Sequence, residues 1–136
     1  MTTTSIIPKR ILVVEDEEYL RDLYVQILKQ EGYEVDQAVD GDEAMKKLCN
    51  EEYDLILLDI ILPKLDGLQV LDKCKKQQKD IHDKVVLLTN LSQDLVIAKA
   101  VDYGVRGYMV KSDVTPPDIV TEVKNYLQGK KSKSSL

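Results

Sequence analysis

Ile11-Leu12-Val13-Val14, Leu55-Ile56-Leu57-Leu58 and Val85-Val86-Leu87-Leu88 are apolar at every position. A strand with one wet face alternates apolar and polar residues, whereas a strand covered on both faces does not. These runs therefore predict central strands of a parallel sheet sandwiched between helices. The segments between them carry apolar residues at three- and four-residue spacing, the period of a helix.

The first such segment places Leu20, Leu23, Tyr24, Ile27 and Leu28 on one face and stops near Gly32, a residue suited to helix ends. A second unit pairs a strand near Glu34 to Ala38 with a helix that Asp40 can cap, Glu43 following three residues on. Its inner face reads as Ala44, Met45, Leu48 and Cys49. After Leu55 to Leu58 and a loop from Pro63 to Gly67, a third helix carries Leu68, Leu71 and Cys74. The fourth unit joins Val85 to Leu88 with a helix around Leu95 to Tyr103. The fifth joins Gly107-Tyr108-Met109-Val110 to a helix capped by Thr115, opened by Pro116 or Pro117 and completed by Asp118. Ile119, Val120, Val123 and Leu127 form the core face of that last helix. This alternation, with right-handed crossovers, predicts an α/β fold with a doubly wound parallel sheet, and is too short for an eight-stranded barrel.

At 136 residues with 43% hydrophobic and 32% charged, the chain has the balance of one domain with a real core. The expected organisation is an extension over 1–8, a domain over 9–128 and a disordered basic tail over 129–136. A net charge of -5 argues against direct nucleic-acid binding, since no Lys/Arg stripe is gathered. No apolar run reaches membrane-spanning length and the opening residues lack a signal-peptide pattern, so a cytoplasmic location is expected. Cys49 and Cys74 have no CxxC spacing and read as buried or partly buried thiols. The lone His82 reads as ordinary surface between a helix and a strand.

In a doubly wound sheet, functional groups gather outside the carboxyl ends of the strands. Those ends supply Glu15, Asp16 and Glu17 from the first strand, Asp59 from the third, Thr89 from the fourth and Lys111 from the fifth. Crowded carboxylates repel unless a cation sits among them, and an all-oxygen set with open positions suits Mg²⁺, with Mn²⁺ as a substitute. Acidic residues at a helix start are also favoured by the helix dipole, which is explanation enough for Glu17 and Glu18. It does not explain Asp59. Beside a metal, Asp59 is a nucleophile for phosphorus, while the Thr89 hydroxyl and Lys111 ammonium can hold phosphoryl oxygens.

From about Lys9 to Leu127 the chain resembles a response-regulator receiver domain of the single-domain, chemotaxis-regulator-like type. Val13-Val14-Glu15-Asp16 resembles the family's acidic pair, and Asp59-Ile60-Ile61-Leu62-Pro63-Lys64-Leu65-Asp66-Gly67 resembles its phosphoacceptor loop. Thr89, Tyr108 and Lys111 stand at the places of its switch hydroxyl, switch aromatic and lysine. The resemblance implies the flavodoxin-like strand order 2-1-3-4-5 with five helices. It implies phosphorylation of Asp59, and Mg²⁺ held by Asp16, Asp59 and the Ile61 carbonyl, with Glu15 acting through water. Thr89 and Lys111 would hold the phosphoryl group, and Tyr108 would turn inward as Thr89 moves. The face made by the fourth helix, fifth strand and fifth helix would then change population and meet a target. The implied donors are a sensor histidine kinase or a histidine phosphotransfer protein, with the target unknown. A monomer is expected before phosphorylation, with a dimer through that face as the alternative afterwards.

Three features depart from the pattern. Ser112 stands where the family has proline, which removes the residue that makes a cis peptide cheap. Asn90 stands where a very small residue is preferred and narrows access to Asp59. Ile61 and Leu91, two residues beyond Asp59 and Thr89, are both apolar, so nothing there orients a water and slow loss of the phosphoryl group is expected.

A turnover phosphatase with an aspartate nucleophile needs a second aspartate two residues on, where this chain has Ile61. The expectation is thus a protein that catalyses only its own phosphorylation and dephosphorylation. A flavin carrier needs a Ser/Thr/Gly-rich phosphate loop where this chain is acidic. A receiver-like scaffold that binds partners without phosphorylation is the remaining alternative, kept by Asn90 and Ser112. No output domain is read beyond Leu127, so the chain is expected either to work alone or to have once led into one.

Overall fold

Each fully apolar run forms a parallel strand, and its alternate side chains feed two separate cores. The computed structural model describes residues 7–90 and 94–129. Its elements are β1 (Arg10–Val14), α1 (Glu18–Gln30), β2 (Glu34–Ala38), α2 (Gly41–Asn50), β3 (Leu55–Leu58), α3 (Gly67–Lys76), β4 (Val85–Thr89), α4 (Asp94–Asp102), β5 (Gly107–Val110) and α5 (Pro116–Leu127). Short 3₁₀ turns, His82–Lys84 and Lys111–Asp113, precede β4 and follow β5. The sheet is five-stranded and parallel in the expected order β2-β1-β3-β4-β5.

Leu12, Val14, Ile56, Leu58, Val85 and Leu87 face one core with Ala44, Leu48, Val70, Leu71, Cys74 and Ala100 from α2, α3 and α4. Ile11, Val13, Leu55, Leu57, Val86 and Leu88 face the other with Tyr24, Val25, Leu28, Ile119, Val123 and Tyr126 from α1 and α5. The period of two along each strand places successive residues in opposite layers, which is why no polar residue is tolerated there. Truncating one of these leucines to alanine removes contacts worth about 2–5 kcal/mol.

The helix starts follow the sequence signals. Asp40 accepts from the Glu43 amide at 2.8 Å, Asp66 and Gln69 form a capping box, and so do Thr115 and Asp118 ahead of Pro116. Three core assignments change. Val25 and Tyr126 are buried although they fall outside the predicted periodic faces, and Cys49 is exposed at the edge of α2, which leaves Cys74 of α3 as the buried thiol. His82 is half-buried rather than ordinary surface: its Nε2 lies 3.2 Å from the Leu71 carbonyl and its ring stacks on Tyr103 at 6.2 Å. Of the expected extension and tail, residues 1–6 and 130–136 lie outside the described residues, as does Leu91.

Two glycines fix the loop after β3. A Cβ at Gly67 would stand 2.4 Å from the Asp59 carbonyl oxygen, and one at Gly41 would stand 2.1 Å from that of Leu65. Neither distance can hold a side chain, so the loop folds down against the starts of α2 and α3 only because both positions lack one. Lys64 at the loop tip takes the left-handed region, φ 68°, and its ammonium meets Asp40 at 3.4 Å.

Candidate functional site

The ladder hydrogen bonds run one residue past the strands, with the Glu15 amide donating to Ala38 O and the Asp59 amide to Val14 O, each at 3.1 Å. Both acidic residues therefore leave the sheet on backbone as fixed as the strands themselves. Lys111, immediately after β5, bonds both: its Nζ donates to Glu15 Oε1 and, at 2.8 Å, to Asp59 Oδ2. The second oxygen of Glu15 accepts from the Glu17 amide at 3.0 Å, and Asp59 Oδ1 accepts from the Ile61 amide at 3.3 Å.

Carboxylate oxygens of Glu15, Asp16 and Asp59 lie within 4.8 Å of one another. At an effective dielectric of ~20, two unit charges at that separation repel by about 3 kcal/mol. Glu15 and Asp59 are buried, at 2% and 5% exposure, while Asp16 is open to solvent. One ammonium cannot neutralise three carboxylates. Burial pushes the Glu15 carboxyl above its usual range, against the opposing pull of Lys111 and the Glu17 amide. Burial also works against the charged form of Lys111, but the bonds to Asp59 and Glu15 outweigh it and hold its pKa above the ordinary lysine value.

A hard divalent cation fits this donor set. The three carboxylates supply only oxygen, and the exposed Asp16 leaves room for water, as Mg²⁺ prefers. The carboxylates of Glu15, Asp16 and Asp59 could hold it.

Thr89 ends β4 and is buried, at 2% exposure. Tyr108 is half-buried against the core shared by α2, α3 and α4. The Ile61 side chain is 60% exposed at the rim, and Asn90 and Ser112 are exposed. No cis peptide occurs among the described residues, and Lys111 reaches both partners from the 3₁₀ turn that contains Ser112. Glu15, Asp16, Asp59 and Lys111 thus meet in one cluster, with Thr89 at the neighbouring strand end.

Residue patterns did not point to Arg21. Its Nη1 donates to the carbonyls of Glu15 at 3.0 Å and Asp16 at 3.3 Å, while its Nε donates to Gln37 Oε1 at 3.3 Å. Two of its three partners are backbone carbonyls, which leave no mark in a sequence. Tyr24, on the core face of α1, is buried within electrostatic reach of Lys111, Glu15 and Asp59, and burial pushes its phenol up.

The family model for the response regulator receiver domain matches residues 11–124. The alkaline phosphatase synthesis transcriptional regulatory protein PhoP of Bacillus subtilis is 38% identical over 121 residues, covering 88% of this chain and 49% of that protein. The chemotaxis protein CheY of Treponema pallidum is 38% identical over 107 residues, 76% of this chain and 73% of that one. The chain spans about half the length of the curated transcriptional regulators it matches, such as PhoP and ResD of B. subtilis. Among experimental structures, a CheY-like response regulator receiver domain protein from Methanospirillum hungatei superimposes with a TM-score of 0.82 at 32% identity, covering 90% of this chain and 96% of that one. TrrA of Thermotoga maritima, a response regulator protein crystallised in complex with Mg(2+)-BeF, gives a TM-score of 0.72 at 39% identity, covering 87% and 98%.

Proposed function

The chain belongs to the response regulator receiver domain family, and from that premise we propose that it accepts a phosphoryl group on Asp59 from a histidine kinase or histidine phosphotransfer protein. The observation that carries this reading is the Lys111 ammonium lodged between the buried Glu15 and Asp59 carboxylates, with the exposed Asp16 alongside. A structural ion pair needs one acid for one base, whereas this cluster keeps an excess of negative charge at the edge where ligands bind in such sheets.

An Asp59 carboxylate oxygen attacks phosphorus in line with the leaving group. The P–N bond of phosphohistidine breaks, the imidazole keeps the electron pair, and an acyl phosphate forms. Mg²⁺ or Mn²⁺, when bound by Asp16, Asp59, the Ile61 carbonyl and water on Glu15, supplies positive charge for the phosphoryl oxygens. Lys111 is placed to pass from Asp59 to a phosphoryl oxygen, which gives the transferred group a partner that the carboxylate already holds. The Thr89 hydroxyl donates to a second oxygen, and its movement draws Tyr108 toward the space it leaves. The surface of α4, β5 and α5 then shifts population and is read by a protein target, without direct contact to nucleic acid. Catalysis extends to the protein's own phosphorylation and its hydrolysis, not to turnover of an external substrate, since the exposed Ile61 offers no acid or base two residues after the nucleophile.

The reading includes a cytoplasmic protein, in keeping with the lack of any described helix long and apolar enough to cross a membrane. It also includes a monomer before phosphorylation. Intact mass after incubation with Mg²⁺ and acetyl phosphate tests the acceptor. Wild type gains one phosphoryl group and Asp59→Asn gains none; no gain by a folded wild type would leave only the partner-binding scaffold.

A further inference from the structure

Resting on that reading, we infer that Arg21 is a positioning residue that sets the affinity of the acidic site for its divalent cation. Asp16 is the exposed member of the carboxylate trio and sits in the short turn between β1 and α1. At its ends the turn is held by the Glu15 amide on Ala38 O and the Glu17 amide on the Glu15 carboxylate, so it is Asp16, between them, that depends on a further bond. The N-cap of α1 is Glu17, whose side chain makes no capping bond, so the usual device that fixes a strand-to-helix turn is missing here. Arg21, one turn into α1, supplies a substitute. Its Nη1 takes the carbonyls of Glu15 and Asp16 at 3.0 and 3.3 Å, its Nε takes Gln37 on β2 at 3.3 Å, and its own amide is anchored to Glu17 O at 2.9 Å. One guanidinium therefore spans the helix, the turn and the neighbouring strand.

The consequence is energetic as well as geometric. A carboxylate that must be ordered at the moment of binding loses affinity to the entropy of its backbone and side chain, while one already held does not. Partners that orient a ligand-bearing residue typically change metal affinity by about 10–100-fold when removed. Arg21 touches neither the cation nor the phosphoryl group, so its removal weakens binding without altering the chemistry once the site is filled. A lysine keeps the charge but lacks the planar fork that reaches three acceptors in fixed directions. Charge alone therefore does not replace it.

Mg²⁺ titration of wild type, Arg21→Gln and Arg21→Lys by calorimetry, with amide exchange at Asp16 and Glu17 in chelator, tests the inference. Both variants should bind Mg²⁺ about tenfold more weakly, exchange those amides faster without metal, and regain the wild-type rate of phosphorylation from acetyl phosphate at saturating Mg²⁺. Wild-type affinity in Arg21→Gln, full rescue by Arg21→Lys, or a rate deficit that persists at saturating Mg²⁺ would each overturn it. A wild type that binds no Mg²⁺ sinks the phosphoacceptor reading and this inference together. Unchanged exchange of both amides in Arg21→Gln removes the clamp itself, whatever the metal does.

Discussion

The two edges of the sheet use the same ingredients to opposite ends. At the amino edge Arg10 meets Glu34 at 3.3 Å, Asp36 at 3.3 Å and Glu51 at 3.1 Å, its amide donates to Asp54, and its guanidinium lies 5.1 Å from the Tyr53 ring centre. At the carboxyl edge Lys111 meets Glu15 and Asp59, with Asp16 close by. Each edge sets one cation among several acids. Burial separates them. The side chains around Arg10 are 32% to 61% exposed, so water screens every pair, whereas those of Lys111, Glu15 and Asp59 are 10%, 2% and 8% exposed. Surface pairs of the first kind contribute little and tolerate excess acid cheaply. In the second setting the same excess is costly and is retained where a ligand can offset it.

Lys111→Met should separate the edges most. In chelator it leaves Glu15 and Asp59 facing each other without a cation and should lower stability by about 3 kcal/mol in urea unfolding. Added Mg²⁺ should recover part of that loss. Because the folded pKa of Lys111 is raised, its contribution is fully present below the ordinary value of 10.5 and fades as pH climbs through the higher folded value. The gap between wild type and variant should therefore hold through neutral pH, close in strong alkali, and narrow in acid as the carboxyl of Glu15, whose pKa is raised, takes up a proton. A loss no greater than that of Arg10→Met would break the comparison. Arg10→Met should destabilise less, and high salt should shrink its effect while leaving that of Lys111→Met largely intact. Smallest is the change at the apolar rim: Ile61→Asn should speed loss of the phosphoryl group several-fold by orienting a water, with stability unmoved. Equal dephosphorylation rates would remove the rim from the account.

The fold was legible because a parallel sheet buried on both faces writes continuous apolar runs, and helix caps such as Asp40 and Thr115 write local ones. The acidic cluster was legible because each member stands within two residues of a strand end. What stayed hidden depends on contacts between segments. Cys49 falls on the helical period of α2 yet lies beyond the width of its covered face, and Tyr126 is buried in the core shared with α1, its ring centre 5.7 Å from the guanidinium of Arg106, the residue before β5. His82 stacks on a ring from the turn after α4, and Arg21 acts on carbonyl groups that every residue possesses. Spacing within one element cannot encode such partners.

Val14, Leu58 and Val110 are the last residues of β1, β3 and β5, and Glu15, Asp59 and Lys111 come next in the chain. Glu15, Asp59 and Lys111 are thus positioned by the hydrophobic core rather than by the loops. Insertions, deletions and recombination in the connecting segments can reshape what the domain meets while leaving its acid and base where they stand. For engineering, the surface away from that edge is editable, while the strand ends, the β1–α1 turn that carries Asp16 and the Arg21 clamp behind it set a fixed reference frame.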